Sequence, residues 1–223
     1  MTGITYRSAT EINSSMLNVY NNMFLAVVNS MIVSALVASS PALMQFLFTG
    51  AMKWIVIFAP LLMIFALGYG MEKMTRNQAQ LALHGFAALM GVSFATIFVV
   101  FSIGSIVGAF MAAAVLFATM SLWGYFTKQS LDSLGQWMFV GLIAIIIASV
   151  INIFIGSSVA QMVISAIAII VFLGLTAYDT QKIRELLSVD HNGNTEVVGA
   201  LTLYLDFINL FLNLLQLLGG RKE

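Results

Sequence analysis

Residues 199–220 read GALTLYLDFINLFLNLLQLLGG. A helix needs about 20 apolar residues to cross a bilayer core of about 30 Å, and this run is long enough. Its small and polar members are Gly199, Thr202, Asp206, Asn209, Asn213, Gln216 and Gly220, spaced by 3, 4, 3, 4, 3 and 4. That spacing puts all of them on one face of a helix. Leu, Phe, Ile and Tyr fill the rest. A carboxylate and side-chain amides are costly in hydrocarbon, so the stripe must face protein or an aqueous cavity. The expected fold follows: an all-α membrane protein with this helix at its centre.

The rest of the chain agrees. Of 223 residues, 61% are hydrophobic and 8% charged; the mean hydropathy is +1.00. A soluble domain carries about 25% charged residues, so this chain could not cover itself in water. Apolar runs at 23–38, 52–71, 81–101, 104–126, 137–155, 159–178 and 198–218 give seven spans. The first begins near Val19 or Tyr20. The organisation is a polar N-terminal segment at 1–22, a seven-helix domain at 23–218 and a short tail at 219–223. Met1 to Asn22 contains Arg7 and Glu11 and lacks the pattern of a cleavable signal. Only the connections 39–51 and 179–197 exceed about ten residues. Function therefore sits among the helices.

Basic residues orient the spans. With the N-terminus cytoplasmic, the inside segments hold Arg7, Lys73, Arg76, Lys128, Lys182 and Arg184, and the outside loops hold Lys53. Arg221 and Lys222 break the pattern. Pro60 should kink the second span. Gly104, Gly108 and Ala112 form a strip at which a neighbouring helix is expected to approach closely, with Gly85 and Gly91 a looser version.

Several chemistries drop out. Nine basic residues balance nine acidic ones, so no basic face exists for nucleic acid. Cysteine is absent, which excludes disulfides and thiolate chemistry. DHNGNTE at 190–196 imitates a calcium loop, but Gly193 falls at its fourth position and Leu201 stands where the bidentate acid belongs. It reads as a turn. His84 is embedded in the third span and His191 lies in the loop; no HExxH, GxSxG or phosphate loop accompanies them. Nothing points to an enzyme.

Asp206 is not explained as a hydrogen-bonding contact between helices, a role open to Asn213 and Gln216, because such contacts need no ionisable group. A second acid, Asp179, ends the sixth span in GLTAYDTQKIREL. Asp206 lies about 12 Å into its span at 1.5 Å per residue. Asp179 reaches that depth if its helix continues a turn or two. Two carboxyls in a poorly hydrated site share one proton rather than both ionising. Such a pair senses pH, and its oxygens suit a hard divalent cation such as calcium. The alternative for Asp179 alone is a solvated acid near Lys182.

These segments resemble the Bax inhibitor-1 (transmembrane Bax inhibitor motif) family. The resemblance is carried by LTLYLDFINLFLNLLQLLG from Leu201, LTAYDTQKI from Leu175 and NIF at Asn152–Phe154. It extends over nearly the whole chain and looks like that of a bacterial member, in the inner membrane. It implies a seven-helix fold with the last helix surrounded by the other six. It further implies a pH-sensitive calcium leak channel in which Asp179 and Asp206 form the sensing and gating pair, with calcium as permeant or bound ion. The family's basic latch would fall in GYGMEKMTRNQ, on Arg76 or Lys73. Two other readings stay open: a proton-coupled secondary transporter, and a non-transporting regulator that binds a membrane protease or stress factor.

Overall fold

The structure is a computed structural model that describes residues 7–189, 194–220 and 222, apart from the side chain of Glu72. The described residues form helices and no β-strand. The helices are α1 (Ala9–Ala38), α2 (Pro41–Phe48), α3 (Met52–Gly70), α4 (Arg76–Phe94), α5 (Ile97–Val100), α6 (Ile103–Phe126), α7 (Asp132–Ile155), α8 (Ser158–Leu187) and α9 (Asn194–Leu218). A single 3₁₀ turn at Met71–Lys73 links α3 to α4. Among the described residues, seven helical segments are long and apolar enough to cross a membrane, with α4 and α5 together making the third.

Hydropathy had fixed the number of spans but shortened their ends. The first helix starts at Ala9, not near residue 19, so residues 9–22 belong to it rather than to a separate polar segment. A reciprocal cap starts it. Ser8 Oγ accepts from the Glu11 backbone N–H and the Glu11 carboxylate accepts from the Ser8 N–H, which satisfies two otherwise orphaned backbone donors. Thr75 and Gln78 do the same at α4, which begins at Arg76 rather than 81. The expected loop 39–51 contains α2, capped by Ser40 with Pro41 as its first residue. Pro60 lies inside an unbroken α3. The sixth-span helix runs past Asp179 to Leu187.

The chain forms two compact units. The first holds the chain to Phe101 together with Leu186–Tyr204 and Lys222; the second holds Ser102–Glu185 and the run from Leu205. The boundary falls within α8 and within α9.

In the first unit α1 lies against α4. A Cβ on Gly91 would sit 2.6 Å from the Ser30 carbonyl oxygen, so glycine sets how near the helices come. At that crossing Ser30 Oγ lies 2.7 Å from the Ala87 carbonyl, 3.1 Å from the Ala26 carbonyl and 2.7 Å from the Tyr204 hydroxyl. Carbonyls only accept, so Ser30 donates to one of them and Tyr204 donates to Ser30. The Tyr204 ring is fully buried and meets Phe86 edge-on.

In the second unit, the close approaches again fall on glycine. A Cβ on Gly124 would overlap the Ala177 carbonyl, one on Gly135 would strike the Tyr178 ring, and one on Gly174 would strike the Met138 sulfur. The strip expected to do this, Gly104 and Gly108, faces open space: an added Cβ at either meets nothing within 4 Å. Gln181 fixes the α6–α7 connection, accepting from the Leu131 N–H at 2.8 Å and donating to the Gln129 carbonyl at 2.9 Å. Phe110, Phe117, Phe207 and Phe211 stack edge to face between α6 and α9. Asn152 turns the corner from α7 to α8: its amide donates to the Ser157 carbonyl, its oxygen accepts from the Ser157 N–H, and Gly156 takes the left-handed conformation at φ 68°. That is what the NIF asparagine does here.

Burial separates the spans. The most apolar window of α7 is 6% buried, and that of α9 is 67% buried. A helix that is apolar all round and exposed suits lipid; a helix with a polar stripe belongs inside protein.

Candidate functional site

Asp179 on α8 and Asp206 on α9 come together in the second unit. Both line one cleft, with their carboxyls close enough to interact. The reason is local. From α9's start at Asn194, Asp206 lies about 18 Å along the axis, and Asp179 lies about 12 Å back from the end of α8 at Leu187. The antiparallel helices therefore bring the two to similar depth only because α8 continues for eight residues past Asp179. Asp206 is 4% exposed and Asp179 is half-buried. Contact between two carboxyls requires a proton between them, since two carboxylates offer only acceptors. One oxygen of Asp206, Oδ2, is fully buried.

The pair stands at one side of a cleft of about 370 Å³. Gln136, Phe139 and Leu142 of α7 form one wall, and Phe172, Leu175 and Tyr178 of α8 the other. Gly135 completes it, and its missing side chain leaves room for the Tyr178 ring. The lining is mostly apolar, with two acids and no base. Among the described residues, no three His, Asp or Glu side chains gather as a metal site. Calcium, which takes six to eight oxygen ligands, would meet two carboxyls here and require water or other oxygens for the rest.

The remaining stripe residues bond to their own helix. Thr202 donates to the Val198 carbonyl at 3.1 Å, Asn209 to Leu205 at 2.8 Å and Asn213 to Asn209 at 2.8 Å. These i to i−4 bonds satisfy their donors within α9. Gln216 is half-buried further along.

The two basic residues singled out in sequence have other neighbours in the first unit. The Arg76 guanidinium pairs with the Glu196 carboxylate at 2.5 Å, and Asn18 donates to the same oxygen at 3.2 Å. Glu196 is 3% exposed, although the sequence reads as a polar turn there. Of that turn, residues 190–193, including His191, lie outside the described residues; Asn194–Glu196 open α9. The Asn194 side chain donates to the Met74 carbonyl at 2.7 Å, tying the start of α9 to the turn before α4. Lys73 lies over the Tyr69 ring, 4.9 Å from its centroid. His84 is half-buried, and its backbone carbonyl accepts from the Asn29 amide at 2.8 Å.

The family model described as Inhibitor of apoptosis-promoting Bax1 matches residues 12–223. The inner membrane protein YbhL of Escherichia coli K12 is 37% identical over 214 residues, which cover 93% of this chain and 92% of that protein. An uncharacterized protein of Rickettsia prowazekii is also 37% identical, over 93% of this chain and 90% of its own. One from Borreliella burgdorferi is 33% identical over 95% of this chain and 94% of its own.

Proposed function

The chain belongs to the Bax inhibitor-1 family, and on that premise we propose that it is a pH-sensitive cation leak channel, with calcium as the permeant ion, gated by Asp179 and Asp206. One observation carries this reading: two carboxyls from separate membrane helices line one cleft within interacting range, and Asp206 is almost wholly buried. A shared proton ties α8 to α9 and closes the path. Losing it leaves two like charges, whose repulsion is about 4 kcal/mol at about 4 Å and an effective dielectric of 20. That is enough to part the helices or to draw in a cation, for which the two carboxylates are transient ligands. The ion is cargo, and no resident metal is needed.

The membrane is the inner membrane, by analogy with the name of the Escherichia coli relative. The balance of basic residues supports a cytoplasmic N-terminus. The reading is of a conductor.

Calcium flux into liposomes against pH tests it, with wild type, Asp179→Asn, Asp206→Asn and Arg76→Ala compared. Wild type should leak in a pH-dependent manner, and either Asn variant should lose that dependence. A wild-type pH response retained in Asp206→Asn overturns the gating role. Stoichiometric uptake that follows a proton gradient would instead make the protein a proton-coupled transporter. Absence of flux, with a stoichiometric membrane-protein partner recovered by crosslinking, would make it a regulator.

A further inference from the structure

The cleft beside the aspartates has a shape and lining that ion passage does not require. A conduction path for a hydrated cation is lined by oxygens, whereas Phe139, Leu142, Phe172 and Leu175 make this one apolar. Its outer rim is Gln136 and Phe139, both exposed, on the helix whose surface is the least buried of the seven spans. In a bilayer that rim meets lipid, so the cleft is open to molecules dissolved in the membrane. Its inner side ends on Asp179 and Asp206, two acids with no base beside them in the lining. Carboxyl oxygens accept hydrogen bonds and the lining offers them no cationic donor, so a donor arriving through the cleft gains charge-assisted bonds there.

We propose that this cleft binds a lipophilic monoamine, its ammonium on Asp206 and Asp179 and its hydrocarbon body between α7 and α8. Charge selects the ligand. Two acids and no base line the cleft, so it favours a cation over an anion. An ammonium offers up to three N–H donors to oxygens that only accept. No basic residue lines the cleft, so the phosphate of a zwitterionic phosphoethanolamine headgroup would enter without a partner. Volume agrees as well: about 370 Å³ lies in the range of small-molecule sites, about 300–1,000 Å³. The proposal needs the cleft and the pair, but not conduction.

Binding of a tritiated phenylbutyl dimethylamine to the protein in phosphatidylcholine nanodiscs tests it. The comparison probe is the neutral hydrocarbon with an isopropyl group in place of dimethylamino. Saturable binding is expected, at least about tenfold tighter for the amine, the factor expected of a charge-assisted hydrogen bond. Asp206→Asn should weaken it by a similar factor, and added phosphatidylethanolamine should not compete. Leu142→Trp fills the cleft and leaves both acids in place, so it should abolish binding. That variant and the neutral probe decide the matter if Asp206→Asn does not fold. Equal uptake of both probes, amine binding unchanged in Leu142→Trp, or displacement by phosphatidylethanolamine each overturns the proposal. Calcium flux measured on the same samples separates the two ideas: amine binding without flux removes the leak and keeps the cleft, and flux without binding does the reverse.

Discussion

Removing Arg76 should cost more than removing the charge it faces. The pair is lopsided: the Arg76 side chain is 45% exposed and that of Glu196 only 5%. Arg76→Ala leaves a carboxylate inside the first unit with the Asn18 amide at 3.2 Å as its remaining donor. Breaking a fully buried pair from one side costs about 3–5 kcal/mol, and an exposed pair is worth about 0.2–1 kcal/mol. With one partner half in solvent, the expected loss for Arg76→Ala is about 2 kcal/mol. Glu196→Gln keeps a neutral group that bonds Asn18 and frees a guanidinium that water can solvate, so it should cost under about 1 kcal/mol. The double variant carries no orphaned charge. It should be more stable than Arg76→Ala alone, a coupling that marks direct contact. Unfolding in detergent micelles with increasing dodecyl sulfate, followed by helical circular dichroism, measures all three. If Glu196→Gln costs as much as Arg76→Ala, or if the two losses add, the carboxylate is not held by this arginine and the argument fails. The same variants bear on gating. If Arg76 is the latch, Glu196→Gln releases its charge and should shift the pH response of the leak without abolishing it.

The Ser30–Tyr204 contact gives a second asymmetry. Ser30→Ala leaves the buried Tyr204 hydroxyl without an acceptor and should cost about 1–3 kcal/mol, whereas Tyr204→Phe removes one bond and should cost about 1 kcal/mol; detergent unfolding of both checks the order. Gly91→Ala forces a Cβ against the Ser30 carbonyl and should lose about 1–3 kcal/mol, while Gly108→Ala, with open space before it, should be neutral within about 0.5 kcal/mol. Gln181→Leu removes both bonds that hold the α6–α7 connection, so hydrogen exchange at the Leu131 amide should accelerate while α9 keeps its protection.

Which features were legible in the sequence follows from what each kind of signal averages over. Seven spans are legible because lipid imposes length and apolarity on every crossing helix. Helix ends are not set by lipid. Hydropathy placed the first span near residue 19 because Ser15, Asn18 and Asn22 lower the local average, yet Ser15 and Asn22 are buried against protein and Asn18 bonds Glu196. The true start was written in a different code, Ser8 with Glu11 three residues on, and again in Thr75 with Gln78. Capping depends on single residues, so a window of twenty erases it.

Glycine spacing was a partial guide, since it marked Gly91, which does set a close approach, but also Gly104 and Gly108, which do not. Gly104, Gly108 and Ala112 fall every fourth residue and so share a face, but spacing says nothing about what that face meets. The glycines that permit close packing, Gly91, Gly124, Gly135 and Gly174, form no motif of that spacing, because each answers to a different neighbour: Ser30, Ala177, Tyr178 and Met138. Glu196 was missed because its partner is 120 residues away. Asp206 was found because its cost is paid to the solvent, and lipid is a solvent that a sequence can declare. The stripe around it shows the limit of that inference. Thr202, Asn209 and Asn213 obey the same periodicity as Asp206 but spend their donors on carbonyls of α9 itself. A carboxylate has no donor to spend in that way. That chemical difference, rather than the shared helical face, sets Asp206 apart from the rest of the stripe and leaves it beside Asp179 in the cleft.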